Sequence, residues 1–346
     1  MATTLKDIAD YVGTSVTTVS KILGDKPIRV SEKTRAQVQQ AAELLNYIPN
    51  AVGVNLKKGR TDTIAVIVGD LLYPYYAKLL KEISHQLRSQ GKSVVVCDID
   101  NNFETEKEHY LRLRTGYVDG AIVIPSPTTI TAQNLQNANG ILSSLHLPLV
   151  IIAGGGDYLY PGFSTVGTDP FQSARQATEY LLSLGHRKIA YVSEMPEDSP
   201  ANRKLAGYRD ALAQHGLSDG ELVFRGYARY AGGRTAYRVA MDAGASAVLC
   251  SNDHLAVGCC SAAINEGRKI PAELSIVGMD NTMITKQYTP QITTVDQDVA
   301  AIAGIALRLL SSAEERPQHI DLEPELILRA SCLPPAMCEN DEKSEG

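Results

Sequence analysis

The chain has 346 residues, of which 44% are hydrophobic and 21% charged, with 27 Gly and 16 Pro, an ordinary globular balance that allows two or three domains and excludes wholesale disorder. No run of about 18 apolar residues occurs, so no transmembrane helix is expected, and the opening MATTLKDIADYVG lacks the apolar core of a signal peptide, so cytoplasmic residence is expected. The net charge of −6 is uneven: residues 1–60 hold nine basic against five acidic residues, +4, and the remainder 24 against 34, −10, the pattern of a small polyanion-binding head on an acidic body.

The first sixty residues read as short helices. Thr4-Leu5-Lys6-Asp7 has the capping-box pattern and starts a helix at about Leu5, with Leu5, Ile8, Ala9 and Val12 on one face and Gly13 as its stop. Ser15 caps a second helix carrying Val19, Ile22 and Leu23 inward, closed by Gly24. Ser31 caps a third with Val38, Ala41, Ala42 and Leu45 inward, ended between Asn46 and Pro49.

From Thr61 the texture changes. The apolar runs IAVIVG (64–69), SVVVCD (93–98), DGAIVI (119–124), PLVIIA (148–153), KIAYVS (188–193), SAVLCS (246–251) and LSIVGMD (274–280) alternate with helix-like stretches. Buried strands alternating with helices predict parallel sheets covered on both faces. The rhythm occurs twice, over about 62–163 and 164–292, which predicts two doubly wound lobes. Residues 335–346 are polar and read as a disordered tail.

Cys97, Cys250, Cys259, Cys260, Cys332 and Cys338 form no C-x-x-C pair and mostly sit in apolar runs, so free, reduced thiols are expected rather than disulfides or a zinc site. The histidines show no metal-ligand spacing. G-x-S-x-G, H-E-x-x-H and a phosphate loop with its lysine are absent, so neither an enzyme nor a cofactor is expected.

Within residues 5–24, Ala9, Gly13 and Val19 stand at the fifth, ninth and fifteenth positions counted from Leu5. That is helix-turn-helix spacing: a small residue where helices cross, glycine in the turn and a β-branched residue in the shared core. Helical hairpins in ordinary cores share the spacing. In the DNA-binding form the second helix enters the major groove, and Val16, Thr17 and Lys21 would face the bases, Val16 against a thymine methyl and Lys21 toward guanine or phosphate.

The segments TLKDIADYVGTSVTTVSKIL, VSEKTRAQV and LNYIPNAVGVNLKKG, followed by GHRKIAYVS, NRKLAGYRDAL, SNDHLAVG, LSIVGMDN, TTVDQD and LRASC, resemble the lactose-repressor/galactose-repressor (LacI/GalR) family over nearly the whole chain to about Cys332. The resemblance implies an all-α helix-turn-helix head at 1–49, a hinge helix and linker at 50–61, and an α/β body at 62–334 resembling a periplasmic sugar-binding protein. Its first lobe would take 62–163 plus 296–322 and its second 164–292 plus 323–334. It further implies a homodimer, probing a pseudo-palindromic double-stranded operator through Ser15, Val16, Thr17, Lys21, Ser31, Asn50 and Leu56, with Leu56 wedged into a base step. A sugar-like effector would contact Arg203, Asn252, Asp253 and Asp280, and Asp253 has an equal claim as a helix N-cap. Tyr73, Tyr76, Phe171 and Tyr227 are further candidates for the cleft wall.

Two segments depart from the family: Leu72-Tyr73-Pro74-Tyr75-Tyr76 stands where Asn-Pro-Phe is common, and Ala153-Gly154-Gly155-Gly156-Asp157 where an Asp or Arg is usual. The glycines either offer backbone N–H groups to an anionic ligand or form a loop without a ligand role. Two other functions stay open: a regulator of the same fold whose corepressor is a phosphorylated carrier protein, and a sugar-binding module with a vestigial head. No C-terminal heptad repeat suggests a tetramer.

The hinge helix implied at about Asn50–Lys57 has eight residues, too few for a stable isolated helix, and Gly53 costs it about 1 kcal/mol relative to Ala. Leu56→Ala is therefore expected to weaken operator binding at least about tenfold, read by fluorescence anisotropy, without changing effector affinity. Circular dichroism should register a gain of helix when operator is added.

Overall fold

The computed structural model describes residues 3–48, 59–126, 130–195, 199, 202–225, 229–312 and 316–335. It divides into a unit ending at Thr61 and a second from Asp62 onward. The expected hinge at 50–57, with Asn50 and Leu56, lies outside the described residues, as do Tyr227 and residues 336–346 of the expected tail.

The first unit holds helices α1 (Leu5–Val12), α2 (Val16–Leu23) and α3 (Glu32–Leu44). The capping box closes as its spacing predicts: the Thr4 hydroxyl accepts from the Asp7 N–H, and the Asp7 carboxylate accepts from the Thr4 N–H at 2.8 Å. Those bonds hold the Asp7 carboxyl below the usual range. Ile8, Ala9, Val19, Ile22, Val38, Ala41 and Ala42 form one core, so Ala9 and Val19 occupy the crossing that their spacing predicts. Gly13, at φ +74°, donates to the Ala9 carbonyl at 2.9 Å and turns the chain toward α2.

The second unit runs β1 (Thr63–Val68), α4 (Pro74–Ser89), β2 (Ser93–Asp98), α5 (Phe103–Arg112), β3 (Gly120–Ile124), α6 (Ala132–Leu142), β4 (Leu149–Ile152), α7 (Gly156–Leu159) and β5 (Ser164–Thr168). It continues through α8 (Pro170–Ser183), β6 (Ile189–Val192), α9 (Arg203–Gln214), β7 (Leu222–Phe224), α10 (Arg229–Asp242), β8 (Ala247–Cys250), α11 (Asp253–Asn265), β9 (Ser275–Met279) and α12 (Met283–Gln287). It ends with β10 (Thr293–Asp296), α13 (Val299–Ser311), β11 (His319–Leu322) and β12 (Glu325–Ile327).

Among the described residues two six-stranded sheets form, ordered β11-β5-β4-β3-β1-β2 and β12-β10-β9-β8-β6-β7. Every pairing is parallel except β12 against β10. Apolar side chains are buried on both faces of each sheet, with α4 and α13 on one face of the first and α5 and α6 on the other. Helices α10 and α11 cover one face of the second sheet and α8 and α9 the other. Six of the seven apolar runs of the sequence are central strands, because a strand buried on both faces needs no polar alternation. The seventh, SVVVCD, was expected to be buried but forms β2 at the edge of the first sheet, with Val95 and Val96 exposed.

The lobe boundaries expected at 163/164 and 292/296 shift. Ser164–Thr168 pairs with β4 and belongs to the first sheet, and Thr293–Asp296 pairs with β9 and belongs to the second. The chain thus crosses between lobes after β5, after β10 and after β11. The reason is topological: each sheet is completed by a strand whose partner is fixed by hydrogen bonding rather than by apolar content.

The five described cysteines are unbonded and buried. The sulfurs of Cys250 and Cys259 lie 3.8 Å apart, and burial pushes the Cys250 and Cys260 thiols well up, which keeps them protonated and unreactive.

Nothing lies within 4 Å of a methyl group added at Gly13, so Gly13→Ala meets only the left-handed backbone penalty. It is expected to cost the head about 1 kcal/mol, read as a lowered midpoint in thermal denaturation followed by circular dichroism.

Candidate functional site

On the head, the N-terminal turn of α2 presents Val16, 43% exposed, beside exposed Thr17, with exposed Lys21 one turn on. This surface exists because Val19 and Ile22 take the opposite face into the core. Ser15 and Ser31 are exposed but already employed: each caps its helix, accepting from the N–H of Thr18 and of Thr34 at 3.1 Å. Their hydroxyls set the two helix starts, where unpaired N–H groups favour phosphate.

In the body, the carboxyl ends of the central strands face one another across a cleft, the expected ligand position for open parallel sheets. A cavity of about 160 Å³ lies there. After β1 the chain supplies Tyr73, Tyr75 and Tyr76, after β4 Ala153 and Gly154, and at the end of β5 Thr168. From the second lobe come Glu194 and Met195 after β6, Ser251 after β8, Asp280 after β9 and Gln297 after β10. Lys204, near the start of α9, completes the polar lining and donates to the Ser251 carbonyl at 2.7 Å.

Asp280 is 3% exposed and held at φ +105°, a backbone region that side-chain-bearing residues seldom adopt outside functional sites. Its Oδ2 accepts from the Tyr73 hydroxyl at 2.6 Å, and its Oδ1 from the Gln297 amide. Burial pushes its carboxyl up, while the Lys204 charge and the two hydrogen bonds pull it back.

Asp253 is neither helix cap nor cavity wall. Asn252 caps α11, its Oδ1 accepting from the Leu255 N–H at 3.0 Å, and its buried Nδ2 has no protein partner. Asp253, 1% exposed, accepts from the Thr282 N–H at 2.7 Å, the Thr282 hydroxyl at 2.8 Å and the Thr294 hydroxyl at 2.6 Å. It thereby fastens the strand ends that carry Asp280. Burial, then the Asp280 charge, push it up to about 7, against the pull of those bonds.

Arg203 does not line the cavity. Its guanidinium, 36% exposed, stands 3.9 Å from the Asp157 carboxylate, and its stem lies over Gly155, where an added methyl group would come within 2.7 Å of its Cδ. A one-residue step along α9 turns the side chain by about 100°, so Lys204 faces the cavity where the motif pointed to Arg203. Tyr73 and Tyr76 line the cavity as expected positions, and half-buried Phe171 lies outside its wall.

The three glycines are not an anion nest. Gly155, at φ +69°, donates its N–H to both oxygens of Asp321, at 3.0 and 3.1 Å. Methyl groups added to Gly154 and Gly156 would meet the Thr168 carbonyl at 2.0 Å and the Thr165 hydroxyl at 2.3 Å. The run of glycines is required by the close approach of β5 at Gly154 and Gly156 and by the positive φ and the Arg203 stem at Gly155, and the negative charge that it accommodates is the protein's own.

Residues 4–50 match the model of the bacterial regulatory proteins of the lacI family, and residues 178–332 that of the periplasmic binding protein-like domain. The HTH-type transcriptional repressor PurR of Pasteurella multocida is 31% identical over 337 residues, covering 95% of this chain and 98% of that protein. The chain belongs to the lacI family. Among solved structures, the Lac repressor dimer bound to operator and the anti-inducer ONPF superposes with a TM-score of 0.82 at 25% identity, covering 96% of this chain and 100% of that one. A LacI-family regulator of Enterococcus faecium with bound ribose gives 0.66 at 26% identity, covering 79% and 99%. As a lacI-family member, the chain is a DNA-binding transcriptional regulator with an effector-binding body.

Lys204, Glu194, Gln297 and Ser251 were not among the residues that motif reading singled out. Lys204 adjoins Arg203 in N-R-K and Ser251 adjoins Asn252 in S-N-D, so the signal was present one position away.

Asp253→Ala strands three buried donors and is expected to destabilise the body by about 3 kcal/mol, read by urea denaturation. The head, folding around its own core, should keep its midpoint.

Proposed function

We propose that this lacI-family regulator is a cytoplasmic homodimer that represses a carbohydrate-catabolic operon, with operator affinity set by an uncharged, monosaccharide-sized effector in the interlobe cleft. The observation that carries the reading is the composition of the cavity wall: a buried carboxylate, a lysine and aromatic rings around a small cleft volume. A carboxylate accepts from vicinal hydroxyls in pairs, an ammonium donates to others, and tyrosine rings lie against the apolar faces of a pyranose or furanose. One Lys against one Glu and one Asp makes the wall net acidic, and the Gly155 N–H is taken by Asp321. Both features disfavour sugar acids and sugar phosphates, which would meet like charge in a low-dielectric site.

On this reading Asp280 and Lys204 hold the effector, Tyr75 and Tyr76 flank it, and the Asn252 amide has hydrogen-bonding capacity to spare. Arg203 and Asp157 close the rim. Two heads read the half-sites through Val16, Thr17 and Lys21, with Ser15 and Ser31 at the phosphates, and Asn50 and Leu56 act at the operator centre. Occupancy changes lobe closure, closure changes the spacing of the two hinge segments, and spacing changes operator affinity. The exposed face of α2 and its intact caps speak against a vestigial head.

Operator selected from random sequence, titrated by fluorescence anisotropy at fixed salt with neutral sugars, sugar acids and sugar phosphates, tests the proposal. A neutral monosaccharide should shift operator affinity at least about fivefold, within the usual range of allosteric coupling, and Lys204→Ala should abolish the shift while sparing basal operator binding. A response confined to phosphorylated sugars would contradict it. Operator binding that responds to no metabolite but to an added phosphorylated carrier protein would move the assignment to a protein corepressor.

A further inference from the structure

The carboxylate at the centre of the cleft already carries two donors from the protein. Tyr73, from the first lobe, reaches 207 residues along the chain to Asp280 Oδ2 at 2.6 Å, and Gln297 occupies Oδ1. This is the two-point pattern that a pair of vicinal hydroxyls would make on the same group. The Tyr73 ring is also packed against the second lobe, edge-on to His254 with centroids 5.3 Å apart, while Tyr76 tilts against its other side at 5.2 Å. A second bond across the cleft runs beside it, from Lys78 on α4 to the Asp296 carboxylate at 3.3 Å.

We infer that Tyr73 is an internal stand-in for the effector: its hydroxyl latches the two lobes together through Asp280, and the effector binds by displacing it. The inference rests on the effector reading only for its second half, since the latch itself is a statement about the protein alone.

The local backbone suits a swinging side chain. Tyr73 precedes Pro74, which confines it to extended conformations, and it has φ −84° and ψ 116°. Pro74 opens α4 at its first turn and anchors the helix against the core through Tyr75, Tyr76 and Leu79. The backbone is thus fixed on both sides of the Tyr73 Cα, and release of the hydroxyl needs only rotation about the side-chain bonds. Asp280 is fixed in turn by its neighbours: Asn281 donates to Asp296 at 2.9 Å, and Asp253 holds Thr282. A donor that can leave by side-chain rotation thus faces an acceptor fixed by its neighbours, and a ligand hydroxyl can replace the donor without moving the acceptor.

Two variants of the full-length protein separate this role from that of a simple ligand contact. Tyr73→Phe keeps the ring and its packing and removes the hydroxyl. Asp280→Asn keeps the shape, and Asn tolerates positive φ at least as well as Asp. Small-angle scattering of each protein without added sugar reads lobe closure, and calorimetry with ribose and glucose reads affinity. Tyr73→Phe should enlarge the radius of gyration and raise sugar affinity about tenfold, the worth of one charge-assisted hydrogen bond no longer competing. Asp280→Asn should enlarge the radius likewise but lower sugar affinity at least about tenfold. A structural role alone would move affinity in the same direction in both variants. An unchanged radius in Tyr73→Phe, or a weakened sugar affinity in it, overturns the latch. If the radius increases in both variants but neither sugar binds any of the three proteins, the latch stands and the assignment of the effector falls.

Discussion

Asp253 lies wholly inside the second lobe, and the shape of the cleft follows from how its charge is satisfied. Its oxygens accept from the Thr282 N–H and hydroxyl and from the Thr294 hydroxyl, which ties the segment after β9 to β10. Asn281, next in the chain to Asp280, donates to Asp296 and accepts from Arg329, whose guanidinium also donates to the Thr285 hydroxyl and the Ile292 carbonyl. Low dielectric strengthens each of these bonds and makes any unmade one costly, so the network is rigid as a unit. Asp280 stands at its edge, at φ +105°, held by its own N–H bond to the Val295 carbonyl at 2.8 Å and by the bonds of its neighbours Asn281 and Thr282.

The opposite side of the cleft is built differently. The first lobe presents tyrosines and a glycine turn, and the second presents charges fixed by the network. Contacts between the lobes among the described residues are mainly polar: they include Tyr73 to Asp280, Lys78 to Asp296, Arg203 to Asp157, and the Ser199 hydroxyl to the Ile130 carbonyl at 2.9 Å, beside the packing of the Tyr73 ring on His254. Polar contacts of this kind can be exchanged for contacts to a polyol at small net cost, which is the condition for a ligand to shift a closure equilibrium. A large apolar seam would hold the lobes in one arrangement irrespective of the ligand.

Much of this was legible in the sequence, for reasons that differ from place to place. Helix caps and turn residues in the head act within four residues of themselves, so Thr4, Asp7, Gly13, Ser15 and Ser31 could be read directly. The central strands were legible because burial on both faces removes their polar residues. β5, β10, β11 and β12 were not, since STVGT, TTVD, HIDL and ELI are short and half polar, and only pairing with distant strands defines them. In the cleft, the motif reading pointed to Asp280, Tyr73 and Tyr76, which line the cavity, and stood one position from Lys204 and Ser251, whereas Glu194 and Gln297 were not singled out and Phe171 lies outside the wall. Motifs pointed to Arg203 and to Asp253 as a ligand contact or cap, whereas the helix phase brings Lys204 inward, and Asn252 rather than Asp253 caps α11. The glycine run was ambiguous until its partner, Asp321, came into contact from 166 residues away.

Linkage between the cleft and the head is the claim on which the rest of the functional account depends. Binding free energies are reciprocal, so an effector that changes operator affinity by some factor must have its own affinity changed by the same factor when operator is bound. Calorimetric titration of the effector into the dimer, with and without saturating operator at the same salt, measures that factor directly. The account predicts two effector affinities that differ at least about fivefold, by the same ratio that anisotropy gives for operator. Equal effector affinities in the presence and absence of operator would contradict it.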